Sequence, residues 1–332
     1  MSSAVREWHG VDRATFEREV VPTGAPAVLR GVVASWPVVR AGLTSDTALA
    51  DYLMAHDGGE PLSTYVGPPE IAGRFFYDKD LRGFNFDRGA APLGAVLAKL
   101  LADRDAASPA TIYSGAAAAQ DHFPGFAAAH PQPLLEPDVM PRLWLGNASR
   151  ISTHYDVATN LACVAAGRRR FTLFPPEQVR NLYVGPLEHT ISGQPVSMVD
   201  PLSPDHDRFP RYATAAAASL IAELAPGDAL YMPSLWWHHV EAFGPLNLLV
   251  NYWWGEPAEA SAFEALIHAL LAVRDLPERE RTAWRAFFDH FAFEATAPAH
   301  LPPHARGVLG PPSPARTAMI RDFLRRRLGR AA

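Results

Sequence analysis

Between residues 142 and 254 short apolar runs alternate with Gly, Pro and Asn: RLWLG (142–146), NLACVAAG (160–167), RRFTLFPP (169–176), SLIAELAPGD (219–228), ALYMP (229–233), WWHHVEAF (236–243) and LNLLVNYWW (246–254). Runs this short, separated by turn residues and without helical spacing, predict strands. Many such strands in succession predict a mainly β domain, a closed barrel or double-sheet jelly roll, rather than βαβ units. The stretch 183–215 is rich in Pro and Asp and too long for a simple hairpin, which marks it as a candidate functional loop.

The flanks differ. Residues 26–33 (PAVLRGVV) read as one buried strand, 92–102 (PLGAVLAKLLA) as a helix, and 103–141 as connecting segments around a strand at 111–113. After residue 256 the period turns helical. Phe263, Leu266, Ile267, Leu270 and Leu271 share one face, a second helical segment spans 277–293, and a Pro-rich linker at 300–314 leads to a last amphipathic segment ending in arginines. Three regions are therefore expected: N-terminal α/β elements over 1–110, a β barrel over 111–256, and helices over 257–332. The apolar faces of those helices either pack on the barrel or form a homodimer interface.

Composition narrows the setting. The chain has 332 residues, a formal charge of −5 and a pI near 6.2, a balance that offers no support for a nucleic-acid or membrane-surface partner. Cys163 is the sole cysteine, which excludes an intramolecular disulfide and a cysteine-based zinc site. With no signal-like apolar stretch at the start and no apolar run of membrane-spanning length, a reducing, cytoplasmic location is expected.

Against this background His154-Tyr155-Asp156 stands out, together with His238-His239 far downstream. Alternate residues on a strand share a face, so His154 and Asp156 point the same way. Two imidazoles and one carboxylate form a facial set that leaves the opposite positions on an iron ion open. A lone His-x-Asp also occurs as an ordinary histidine beside a carboxylate, so the distant histidine carries the argument. His238 shares parity with Val240 and Ala242, whereas His239 shares parity with Glu241, which favours solvent. His238 is thus the third expected ligand, and His239 is either a group supporting the ligands or a rim residue.

A second feature is the Arg168-Arg169-Arg170 run that opens the strand 171–174. Arg169 shares a face with Phe171 and Leu173. Unless the three arginines are simply solvated, Arg169 points into an apolar interior, where it requires a carboxylate partner. A guanidinium fork suits a dicarboxylate. Asn160, if its strand is continuous with His154, faces the same way and could donate to a bound carboxylate.

The blocks HYDVATNLACVAAGRRRFTLFPPEQ, PGDALYMPSLWWHHVEAF and LLVNYWW, with PAVLRGVVASWPVV upstream, resemble the cupin-like JmjC oxygenases. Within them the chain is similar to the branch containing the asparaginyl hydroxylase that acts on hypoxia-inducible factor. The resemblance implies a double-stranded β-helix core and a hydroxylase that uses Fe(II), 2-oxoglutarate and dioxygen and releases succinate and carbon dioxide. It implies His154, Asp156 and His238 as catalytic metal ligands. It implies Arg169 as the anchor of the distal carboxylate of 2-oxoglutarate, with Tyr113, Asn160 and Asn251 assisting and Trp253 beside the pocket. Two positions depart from the family pattern: Arg169 stands where a Lys is usual, and Ile151 where a Ser or Thr hydroxyl is common. The prime substrate, whether a protein side chain, a peptide or a small molecule, is not named by the sequence. A cupin enzyme without an oxo-acid cosubstrate and a non-catalytic ligand-binding barrel are the competing readings.

Overall fold

A computed structural model describes residues 2–255, 261–294, 298 and 300–328 of the chain. The described residues form two compact units, one within 1–256 and one within 257–332. The expected barrel end at residue 256 lies outside the described residues.

The first unit is mainly β, and thirteen strands are found among its described residues: β1 (Ser3–Ala4), β2 (Arg6–His9), β3 (Ala27–Arg30), β4 (Leu62–Gly67), β5 (Arg74–Phe75), β6 (Asp87–Ala91), β7 (Thr111–Ala118), β8 (Pro141–Gly146), β9 (Ser149–Tyr155), β10 (Thr159–Phe174), β11 (Leu220–Leu224), β12 (Ala229–Met232) and β13 (Trp237–Trp254). The long antiparallel pair β10 and β13 organises them. The C-terminal half of β10 and the N-terminal half of β13 are flanked by β11 and β9, giving the order β1-β11-β10-β13-β9-β5. The other halves are flanked by β12 and β8, giving β2-β3-β12-β10-β13-β8-β7-β4-β6. Two strands thus cross from one sheet to the other, which makes the double-sheet jelly roll expected from the sequence.

The crossing needs a corner. Register shifts interrupt the β10–β13 ladder between Val164 and Arg168. Gly167 sits there at φ 73°, and a Cβ on it would run into the Asn247 side chain. A bulge adds a residue to one strand and bends it, so the face a side chain occupies changes across it.

Core composition follows from this layout. In the first half of β10, Ala162 and Val164 face the space between the sheets with Leu230, Met232 and Leu249. Leu161, Cys163 and Ala165 face the opposite way, into a larger cluster with Val38, Val39, Leu49, Leu53 and Leu97. Those partners come from the helices Pro37–Thr44, Asp46–Met54 and Leu93–Ala102, which cover that face. A strand buried on both sides reads as an uninterrupted apolar run, and NLACVAAG is one. The elements of 1–110 also add β2, β3, β4 and β6 to the sheet edges.

Residues 115–118, expected as connection, extend β7 instead. Gly-Ala-Ala-Ala has no intrinsic strand preference. Pairing of β7 with β8 across a bulge, with Ala116 at φ 54°, imposes the conformation from outside.

The loop after β10 crosses β9, where Ser197 N–H donates to Thr153 O at 2.7 Å. Its Ile191 and Val196 pack on Phe75, Tyr77 and Phe86. Arg88 donates to Ile191 O, and Tyr77 Oη donates to His189 O at 2.5 Å.

The second unit contains the helices Ala262–Val273, Glu278–Phe288 and Pro314–Leu328. Ser261 caps the first of these by accepting from Glu264 N–H. No helix among the described residues is long and apolar enough to cross a membrane.

Candidate metal centre and cosubstrate cavity

β9 and β13 lie side by side with His154 opposite His238. Asp156 follows one residue past the end of β9. The three side chains converge: their ligand atoms all lie within 4.8 Å of one another, and the two imidazoles are 4.3 Å apart between centroids. His154 Nδ1–H donates to Ser152 O at 2.8 Å and His238 Nδ1–H donates to Trp236 O at 2.9 Å. A carbonyl only accepts, so each ring must carry its proton on Nδ1. In a neutral ring with its proton there, Nε2 carries the free lone pair, the state a metal ligand needs. Burial, reinforced by His238, pushes the His154 pKa down to about 4, so it stays neutral at physiological pH. Two imidazoles and a carboxylate on one side suit a divalent transition metal.

The Asp156 carboxylate is held from behind. Asn160 Nδ2 donates to its Oδ2 at 3.0 Å and Trp253 Nε1 donates to the same oxygen at 3.2 Å. Asn251 Nδ2 donates to Asn160 Oδ1 at 3.4 Å, and Trp144 Nε1 donates to Asn251 Oδ1 at 2.8 Å.

A cavity of about 80 Å³ opens beside the triad, and Arg169 reaches into it from the second half of β10. Arg169 is 3 % exposed, its Nε has no hydrogen-bond partner, and it forms no ion pair among the described residues. Burial pulls its pKa down to about 10, which still leaves a cation at neutral pH. A buried cation without a counter-charge is costly, and an anionic guest removes that cost. Tyr113 lines the same cavity, and burial pushes its phenol up, so it remains a neutral donor. Ile151 is also in the wall. The hydroxyl of neighbouring Ser152 does not replace the one missing there, because it donates to Phe75 O at 2.9 Å.

Every site residue expected from the sequence borders this cavity: His154, Asp156 and His238, with Arg169, Tyr113, Asn160, Asn251 and Trp253. Asn160 reaches it without a continuous strand, because β9 ends at Tyr155 and β10 starts at Thr159. Ser192 and Gln194 border it from the stretch 183–215, expected as a functional loop, and Trp144, which was not expected, borders it too. The signal for Trp144 was its indole N–H, which seeks a partner when enclosed.

His239 is not a rim residue. It is 1 % exposed, neither ring nitrogen has a partner, and burial pushes its pKa down to about 4. Glu241, expected to favour solvent, is 7 % exposed, and burial raises its pKa. Val199 packs on Trp237, on the strand face assigned to solvent, and the charge of the next residue, Asp200, bears on both His239 and Glu241.

A double-sheet jelly roll with two histidines and an aspartate converging beside a buried arginine defines a cupin-type barrel. The chain belongs to the cupin-like domain family, whose sequence profile matches residues 13–260. It is 36 % identical over 112 residues to the lysine-specific demethylase JMJ31 of Arabidopsis thaliana, a stretch covering 33 % of this chain and 20 % of that protein. It is 35 % identical over 114 residues to the Jumonji C domain-containing protein 5 of Drosophila melanogaster, covering 34 % of this chain and 27 % of that protein. With the human HSPB1-associated protein 1 it shares 34 % identity over 113 residues, 33 % of this chain and 22 % of that protein. The matched stretch is thus about a quarter or less of each relative's length.

Proposed function

We propose that this protein is an Fe(II)- and 2-oxoglutarate-dependent oxygenase that hydroxylates a C–H bond of a separate substrate. The observation that carries the proposal is the pairing of a three-ligand metal set with a buried, unpaired Arg169 in one cavity. A metal alone would not call for that cation, whereas a dicarboxylate bound to the metal at one end would meet it at the other. This same pairing favours the oxo-acid reading over a cupin enzyme without such a cosubstrate and over a binding module.

His154, Asp156 and His238 would hold Fe(II), and the chemistry supplied there is oxygen insertion into a C–H bond, coupled to conversion of 2-oxoglutarate to succinate and carbon dioxide. The residues of this chain bind, orient and enclose. Arg169 anchors the distal carboxylate, and Tyr113 donates to it. Ser192 and Gln194 bring the loop after β10 to the cavity wall, so this loop acts as lid and first contact for the substrate. Two relatives are named as lysine-specific demethylases, in Arabidopsis thaliana and Xenopus tropicalis. Oxidation of an N-methyl carbon and hydroxylation of a side-chain carbon are the same step on different substrates, and the proposal covers both.

Cys163, buried and unpaired, supports a reducing, cytoplasmic setting. The helical unit is proposed to pair two copies of the chain.

The test is turnover by purified protein supplied with Fe(II), ascorbate, oxygen and 2-oxoglutarate. Succinate should form even without a prime substrate, and His154→Ala should abolish it. Full metal loading with no succinate, and no charge-transfer band on anaerobic addition of 2-oxoglutarate, would refute the proposal.

A further inference from the structure

The four hydrogen bonds behind Asp156 have a direction. An indole N–H can only donate, so Asn251 must turn its oxygen to Trp144. Its NH₂ group then faces Asn160, whose oxygen accepts. That leaves the Asn160 NH₂ group aimed at Asp156 Oδ2, and an ionised carboxylate can only accept. A donor-only group at the head and an acceptor-only group at the tail admit one orientation of both amides. Aligned bonds of this kind polarise one another. The middle link, at 3.4 Å, is the longest and the first to exchange if the head is lost.

We propose that Trp144 is a positioning residue for the metal site: through Asn251 and Asn160 it fixes the rotation of the Asp156 carboxylate. The inference rests on the metal reading above. Trp144 is on β8, in the sheet opposite the metal ligands, and its indole N–H reaches the metal centre through this chain. Its ring lies over Tyr113 at 5.6 Å and meets Trp253 edge-on at 5.9 Å. This packing holds the indole N–H on Asn251. Trp253 gives Asp156 Oδ2 its second donor. Both donors therefore hold one carboxylate oxygen, Oδ2, which lies 3.8 Å from His238 Nε2. Groups behind a metal ligand typically change metal affinity by about 10- to 100-fold when removed.

Trp144→Phe keeps a ring against Tyr113 and Trp253 but deletes the donor. The probe is Co(II), titrated anaerobically into the full chain, with the dissociation constant and the visible d–d spectrum as readouts. Trp144→Phe should weaken Co(II) binding on the order of tenfold and shift the spectrum. In an Asn160→Leu background the chain is already cut, and Trp144→Phe should then add nothing. If Trp144→Phe fails to fold, Asn251→Leu breaks the same chain one link further on and should give the same loss. Unchanged Co(II) affinity and spectrum in Trp144→Phe would overturn the inference and leave the metal site standing. So would losses that add fully in the double variant, because they would assign Trp144 to packing alone. Failure of the unsubstituted protein to bind Co(II) would overturn the metal reading and this inference with it.

Discussion

At the residue scale Arg169 has two opposing energetic consequences. Its guanidinium is enclosed without a counter-charge, so it should weaken the fold of the empty protein and strengthen the bound state. Arg169→Met keeps the length and apolar stem while removing the charge. The ligand-free variant should be as stable as the parent or more stable by on the order of 1 kcal/mol in chemical denaturation. Its affinity for 2-oxoglutarate should fall by about 10- to 100-fold, the worth of a charge-assisted pair, with metal binding retained. Loss of stability together with unchanged 2-oxoglutarate binding would remove Arg169 from the cosubstrate site. Single residues of this kind were legible in the sequence because their chemistry is unusual where they stand: a His-x-Asp on a strand, a histidine in an apolar run, an arginine sharing a face with Phe and Leu. Trp144 was not legible. What it does depends on Asn251, and strand pairing far along the chain decides that neighbour. Asn160 and Asn251 were expected to meet the cosubstrate, yet in this structure they bond to Asp156 and to one another. An incoming carboxylate would have to draw these amides away from their present partners.

At the element scale the strand periods worked locally and failed across corners. Parity within 169–173 placed Arg169 and Phe171 together, and both line the cavity. Asn160 and Ala162 line it too, with the opposite parity on the same strand. The register shifts at 164–168 account for the change, and a sequence read as ideal strands has no means of locating them. The same applies to β13, where two expected strands form one that turns at Gly244-Pro245. Gly167 is the sequence mark of the corner in β10. Its positive φ and its contact with Asn247 leave no room for a side chain. Gly167→Ala should cost at least about 2 kcal/mol of unfolding free energy, since the backbone strain alone is of this size. Gly89→Ala, at an exposed site with open space around the Cα, should stay within about 0.5 kcal/mol of the parent. Equal denaturant midpoints for the two variants would mean that the corner is not built as described.

At the scale of the whole molecule the two units contrast in what they bury. The first has apolar clusters on both faces of its sheets. In the second, no residue of the described 261–327 is buried, although the region carries many large apolar side chains. Trp284, Phe287, Phe288 and Phe291 recur at helical spacing and remain substantially exposed. Leu266, Ile267 and Leu271 on the helix Ala262–Val273 do the same. An apolar stripe of this extent in water draws a partner, and a second copy of the same chain is always present at matching concentration. A self-complementary two-fold contact is also the commonest way such faces close. The parent protein should therefore run as a dimer in light scattering coupled to gel filtration. Phe287→Asp puts a charge in the middle of the stripe and should yield a monomer at micromolar concentration. The metal ligands and Arg169 all belong to the first unit, so the monomeric variant should still bind Co(II). A parent that is monomeric at all concentrations would remove the second copy as the partner of these helices. A dimer that survives Phe287→Asp would move the contact to another face of the molecule.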